Sequence, residues 1–351
     1  AYIAFTGVKN LEIKAGNFKE NFSIQRNTTS RYLQFMERPM VTYLAPSRHM
    51  GINFKYSLPK IWASAGVFGP ALEDAETQTA IEDGNKDYGL NCGLSYTGKF
   101  VYRPINNKTT SLHIGAAASY RMPKTSSTDG YNAVRYSTRN TTGVNRKKYM
   151  DTDAIQYLDH EFAYTFELAG HHKGLRWEAA YIARKPFVDE AKWIDKNGEA
   201  PNMQQAWGWY VQAGYLLFGG SQNYDAGGAK YTRTNNGRNW GDIELCARVE
   251  YCDFNISKYV MGGSAYAYSL GLNFHVTKNV KFVVNYQYND QDVFANGKGA
   301  QDGTDKTAKN PYCTGYDKNG NVSKYPGDIL NGGSGKGIDY HMLACRFQVA
   351  F

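Results

Sequence analysis

Apolar and polar positions alternate along most of this chain, most cleanly at its end. From Leu343 the odd positions Leu343, Cys345, Phe347, Val349 and Phe351 are apolar, with Arg346 and Gln348 between them. A period of two is a β-strand, with successive side chains on opposite faces. Residues 338–351 make 14 positions, and a tilted strand needs roughly 9–11 to cross a bilayer. A lone strand in lipid would leave its backbone groups unpaired, so such strands persist only in closed barrels. The last strand of a soluble sandwich is the alternative for this segment, and the rest of the chain decides.

The pattern repeats from the start and predicts thirteen strands: 2–6, 11–18, 50–57, 61–68, 94–103, 112–121, 162–169, 175–184, 207–217, 243–251, 266–276, 280–288 and the final stretch. No segment carries a sustained 3.6 period, so helices are expected only as short turns in loops. The connections alternate between short and long. The long ones cover 19–47, 72–88, 122–155, 185–205, 254–263 and 290–337, while 219–241 is long yet falls on the short-turn side. Short turns on one side and long loops on the other mark an outer-membrane barrel. With residue 351 at the short-turn end, strand 2–6 runs in the same direction as the last. An antiparallel barrel cannot close on that arrangement, so an odd number of strands is expected upstream of Ala1. Three more give sixteen, a size that leaves a water-filled channel. The expected fold is therefore all-β: a single transmembrane antiparallel β-barrel domain over 1–351, sixteen strands with about thirteen in this segment.

Composition fits this reading. No run approaches the ~18 apolar residues of a membrane helix, and the mean hydropathy is −0.57, but alternating strands average out in such a test. The 28 Tyr suit the aromatic girdles of a barrel. The net charge of +8 raises nucleic acid as a partner; against it, Lys and Arg are scattered singly along strands rather than gathered on a basic helix. Among five cysteines, Cys92, Cys246, Cys252, Cys313 and Cys345, no C-x-x-C spacing occurs. Cys246 and Cys252 lie about 20 Å apart on one extended strand, too far for a disulfide. Packing roles are expected for all five.

Several stretches resemble the phosphate-selective porin O and P family of outer-membrane porins. They are Ala1-Tyr2-Ile3, Ala15 through Phe22, Phe35-Met36-Glu37-Arg38 and Leu44-Ala45-Pro46-Ser47-Arg48-His49-Met50-Gly51, then Gly219 through Tyr224, Glu244 through Arg248 and Leu270 through Phe274. Asn21 stands where the family has proline, Gln25 where it has glutamate, and Trp240-Gly241-Asp242-Ile243 scrambles the usual Gly-Ala-Trp. The resemblance implies a homotrimeric porin in the bacterial outer membrane, sixteen strands per subunit. Its pore would be narrowed by inward-folded loops and lined with Arg and Lys that draw small anions such as phosphate; no cofactor is implied.

Alternation also assigns faces without the family. Sets such as Phe282, Val284, Tyr286 or Leu270, Leu272, Phe274 face lipid. The opposite face carries Lys14, Lys55, Lys99, Arg103, Arg121, Arg176, Arg184, Arg248, Lys281 and Arg346 against Glu12, Glu161, Glu167, Glu178, Glu244 and Glu250. Rings of Arg or Lys select anions, while pairing of these charges with one another is the alternative. Three basic connections are long enough to enter the lumen. Residues 19–48 bring Lys19, Arg26, Arg31, Arg38 and Arg48. Residues 122–155 bring Lys124, Arg135, Arg139, Arg146, Lys147 and Lys148, and 219–241 brings Lys230, Arg233 and Arg238. Arg26, Arg31, Arg38, Arg48, Lys99, Arg103, Arg121, Arg176, Lys230, Arg233, Arg238, Arg248 and Arg346 are the candidate pore residues. An enzyme is not expected, because the seven histidines are scattered with no nucleophile motif beside them. His171-His172 falls in an expected tight turn, where solvation outweighs metal binding. The rival to a porin is a structural or docking barrel within a larger outer-membrane assembly.

Overall fold

A computed structural model describes residues 1–69, 93–122, 132–140, 143, 148–152, 154–198, 200, 202–257, 260–292, 294–295, 315–316, 322–323 and 339–350. Thirteen strands form one antiparallel sheet in sequence order. They are β1 (Tyr2–Phe5), β2 (Leu11–Lys19), β3 (Arg48–Ser57), β4 (Ile61–Phe68), β5 (Ser95–Asn106), β6 (Thr110–Arg121), β7 (Leu158–His172), β8 (Leu175–Val188), β9 (Ala206–Leu216), β10 (Asp242–Ser257), β11 (Val260–His275), β12 (Val280–Gln291) and β13 (Tyr340–Val349). The first and last stand at the two ends of the order, and no ladder joins them among the described residues. The expected count and order of strands are found.

Most strands alternate an exposed apolar face with a buried, largely polar one, whereas β1 is exposed at every position. On β11, Leu270 is 61% exposed while its neighbour Ser269 is buried, the reverse of a soluble core and what a lipid-facing wall requires. Outward aromatic rings form a belt near the long-loop end, with Tyr181 against Trp207, Trp207 against Tyr251, and Tyr251 against Tyr266. A second belt near the short turns contains Phe218, Trp240 and Phe274. The short turns are stabilised locally: the Asn107 side-chain oxygen accepts from the backbone N–H of Thr109 and Thr110 at 3.0 and 2.8 Å.

Two expected connections are corrected. Residues 170–174 are not a five-residue turn, since Gly170 and His171 pair with Trp177 and Arg176, leaving Lys173-Gly174 as the turn. Gly170 is required there, because a Cβ would sit 2.6 Å from the Trp177 ring. His171 is buried and meets the Ser111 hydroxyl at 2.6 Å rather than being solvated. Residues 254–263 are not a long loop either: β10 runs to Ser257 and β11 starts at Val260. Phe254, Ile256 and Val260 bury completely on the inner side, and Gly263, at φ 88°, marks the register shift.

The lumen is occupied by chain. Residues 20–47, between β2 and β3, fold inward through α1 (Ile24–Asn27) and two 3-10 turns. Phe22, Met40, Val41 and Leu44 pack with Tyr136, Met150, Ile182 and Phe254 as an apolar core inside the wall. A second helix, α2 (Glu190–Asn197), buries Trp193 against the same core. Cys246 and Cys252 are buried free thiols on β10, and Cys345 is a free thiol on the outer face of β13. Cys92, Cys313, Lys124, Arg146 and Lys147 lie outside the described residues.

Candidate channel constriction

Loop 20–47 is fixed across the lumen by inward side chains from ten wall strands, Gln212 of β9 and Asn273 of β11 both donating to Gln34. Glu20, the first residue after β2, accepts from Arg121 Nη1 of β6 at 2.8 Å, contacts His49 Nδ1 at 2.6 Å and is bonded by the Thr97 hydroxyl of β5. Burial raises its carboxyl pKa, but the His49 hydrogen bond and the Arg121 charge outweigh burial and bring it to about 2. On β7, Glu167 accepts the Ile24 N–H at 2.7 Å and pairs with Lys99 and with His113 Nε2, the latter at 2.8 Å. Further round, Gln34 donates to Glu244 of β10 (2.9 Å), Met36 N to Asn285 of β12 (2.8 Å), and Lys281 Nζ to the Leu33 carbonyl (2.9 Å). Wall arginines finish the frame: Arg176 on β8, Arg248 and Arg346 donate to the carbonyls of Tyr32, Glu37 and Met36. A loop buried without such partners would carry the cost of unpaired backbone groups. Burial lifts the Glu37 carboxyl above the usual carboxylate range, against Arg346, Arg38 and Arg248.

The connection 219–241 enters from the opposite, short-turn end. A two-residue ladder pairs Tyr224-Asp225 with Lys230-Tyr231. Asp242, at the start of β10, accepts backbone N–H groups from Phe218, Gly220, Gly237 and Ile243 at 2.8–3.0 Å, drawing both ends of the loop together. Inside, the Ala226 carbonyl accepts from Arg103, the Gly227 carbonyl accepts from Trp62 Nε1 at 3.0 Å, and Tyr224 OH meets His113 Nδ1 at 2.6 Å. Tyr231 lies under the Arg176 guanidinium, 3.8 Å from it. The two loops meet where Ile24 packs with Ala169 and Tyr231. His113 and Glu167 therefore tie both loops to the wall.

The candidate pore residues divide by their partners. Lys99, Arg121, Arg176 and Arg248 each pair with a carboxylate: Glu167, Glu20, Glu178 and Glu250. Arg26 and Arg38 brace their own loop, Arg26 through the Thr42 carbonyl (3.0 Å) and Arg38 through those of Gln25 (2.7 Å) and Thr28 (2.8 Å). Arg103 donates to the carbonyls of Ala226 and Leu58. Arg31 is exposed beside Tyr32 and lines a small gap with Arg233 near the short turns. Arg346 serves the Met36 carbonyl, and Arg238 is exposed at the short-turn rim.

Open space remains on the β2–β4 side, as a cavity of about 700 Å³. Lys14, Lys19, Arg48, Lys55 and Lys230 line it, with Glu12 and Asp225. Glu12 holds Lys14 at 3.3 Å and Lys55 at 3.0 Å. Among the described residues, no carboxylate forms an ion pair with Lys19, Arg48 or Lys230. Those three, of which only Arg48 and Lys230 are in the candidate set, leave a net positive field in the open part of the lumen. Lys19 and Arg48 are opposite each other at the last pair of the β2–β3 ladder, at outward parity, so alternation alone assigns them to lipid. Proximity of the strand end to the inward loop places them at the cavity.

A model of the family described as "Phosphate-selective porin O and P" matches residues 1–308. Porin O of Pseudomonas aeruginosa PAO1 is 24% identical over 330 residues, covering 86% of this chain and 70% of that relative. Among solved structures, the in-vitro folded trimer form of the outer membrane protein OmpT of Vibrio cholerae is similar with a TM-score of 0.48 and 11% identity, over 99% of this chain and 79% of that one. The anion-selective porin from Comamonas acidovorans has a TM-score of 0.45 and 10% identity, over 86% and 70% of the two chains.

Proposed function

The chain belongs to the phosphate-selective porin O and P family of outer-membrane β-barrel porins, and on that footing we propose that its channel prefers anions. The observation carrying this reading is the cavity beside β2–β4, lined by Lys19, Arg48 and Lys230, with which no carboxylate forms an ion pair among the described residues. Fields of one sign between low-dielectric walls concentrate ions of the opposite sign. The other inward cations are bound to Glu or to loop carbonyls and hold the constriction in place, those paired with Glu adding little net charge. Small oxyanions, phosphate among them, are the expected cargo. Passage requires that each contact be weak enough to release the ion, and half-buried Lys19 and Lys230 with exposed Arg48 at an open cavity meet that condition.

The same reading sets the outer edges of β1 and β13, which carry no ladder among the described residues, against further strands, odd in number, because the two strands run in one direction and lipid does not tolerate open edges. It also takes the working unit as a homotrimer, to be tested by crosslinking in native membranes. The test of selectivity is the zero-current potential of the purified porin in a planar bilayer across a tenfold KCl gradient. A potential of the sign set by chloride supports the proposal, and one of the sign set by potassium ends it.

A further inference from the structure

Six connections lie on the short-turn side, and each presents one exposed cation: Lys9, Lys60, Lys108, Lys173, Arg238 and Lys278. The five short ones contain no Asp or Glu at all. The sixth contains Asp225, which is turned into the lumen cavity. Among the described residues, none of the six cations forms an ion pair. The opposite rim is mixed in sign, with Asp159, Asp189, Asp253, Asp290 and Asp339 at or beside the strand ends together with Lys19, Arg48 and Arg121. The short-turn rim is thus of one sign where the other rim is mixed.

The position of these cations is as telling as their sign. Every connection joins neighbouring wall strands, so the charges follow the perimeter at intervals of about two strand spacings, roughly 10 Å. That is close to a Debye length at physiological salt, and their fields overlap. Each also stands next to the end of the apolar outer band. Lys60 precedes Ile61, Lys9 follows Val8, Lys173 is two residues from Leu175, and Arg238 is two from Trp240, all four neighbours being 39–52% exposed. A long cationic side chain beside an exposed apolar or aromatic residue is the pattern of a membrane-interface anchor. A soluble acidic partner would need the charge gathered on one patch, whereas this charge encircles the wall.

We infer that this cationic collar binds the phosphate groups of anionic phospholipids in the leaflet on the short-turn side. Phosphate is also a free solute, so the experiment separates the two sources. The porin and a six-fold variant (Lys9→Gln, Lys60→Gln, Lys108→Gln, Lys173→Gln, Arg238→Gln, Lys278→Gln) are reconstituted in phosphatidylethanolamine/phosphatidylglycerol vesicles at 3:1. They are then extracted mildly, and the lipid retained by each is quantified by mass spectrometry. Retention of heat-modifiable migration on gels verifies that the variant is folded. The wild-type protein is expected to retain phosphatidylglycerol at about threefold or more over its bulk share, an enrichment lost in the variant and in high salt. The zero-current potential is expected to be unchanged. Equal lipid retention by the two folded proteins overturns the inference. So does a changed potential with unchanged lipid, which would make the collar a fringe for free anions; loss of anion preference in the wild type would instead count against the channel reading alone.

Discussion

Neutralising the three unpaired cations of the cavity, as Lys19→Gln, Arg48→Gln and Lys230→Gln together, should abolish anion preference without unfolding the barrel. The cavity volume of about 700 Å³ corresponds to a sphere of radius about 5.5 Å, so a central ion lies roughly 6 Å from each charge. In water, one unit charge at that distance is worth about 0.7 kcal/mol, and three give about 2 kcal/mol. Screening at 0.1 M salt, with a Debye length near 10 Å, reduces this to about 1.1 kcal/mol. An anion gains that amount and a cation loses it, an enrichment on the order of fiftyfold. Across a tenfold KCl gradient the wild-type potential should therefore approach the ~59 mV limit of a perfectly selective monovalent pathway, and the triple variant should fall toward zero. Glutamine keeps a donor for the Arg26 carbonyl, which Lys19 Nζ now reaches at 3.1 Å, so the loop keeps its tie. An unchanged potential in a folded variant would refute the reasoning and move selectivity to charges outside this cavity.

Three further outcomes follow from the loop anchors and the wall. Glu20 has a folded-state pKa of about 2 against 4.5 for the free group; a depressed carboxyl stabilises above its unfolded pKa and loses that contribution as pH falls from about 4.5 toward 2. Single-channel recordings should become noisier over that window as loop 20–47 loosens, and Glu20→Gln should show the noise already at pH 7. Asp242→Ala strands four backbone N–H groups at about 1–3 kcal/mol for each that stays buried. Connection 219–241 should then become cleavable by limited proteolysis from the short-turn side, with a rise in conductance. Leu270→Arg places a charge on the lipid face between the aromatic belts and should cost roughly 2–4 kcal/mol, measurable as a lowered urea midpoint for the reconstituted barrel.

The thirteen strands and their inward and outward faces were legible in the sequence, because lipid on one side and polar groups on the other leave a period of two in every strand. The same alternation named the inward Lys, Arg and Glu, and the loop lengths pointed to 19–47 and 219–241 as candidates for the lumen. What alternation cannot carry is the partner of each inward charge. Lys99 faces Glu167 only because β5, β6 and β7 adopt their register, and Arg121 meets Glu20 only because the loop turns inward just past β2. Pairing across register and across the lumen is a property of distances between segments remote in the chain. For that reason the sequence overcounted the cations available to a passing ion and assigned Lys19 no place in the pore set. Asp242 read as a departure from a family motif until four N–H groups converged on it. Local periodicity therefore determined which face most strand side chains take, and the tertiary structure alone decided which cations find a carboxylate, because a charge is neutralised only by an opposite charge that folds within a few ångströms of it.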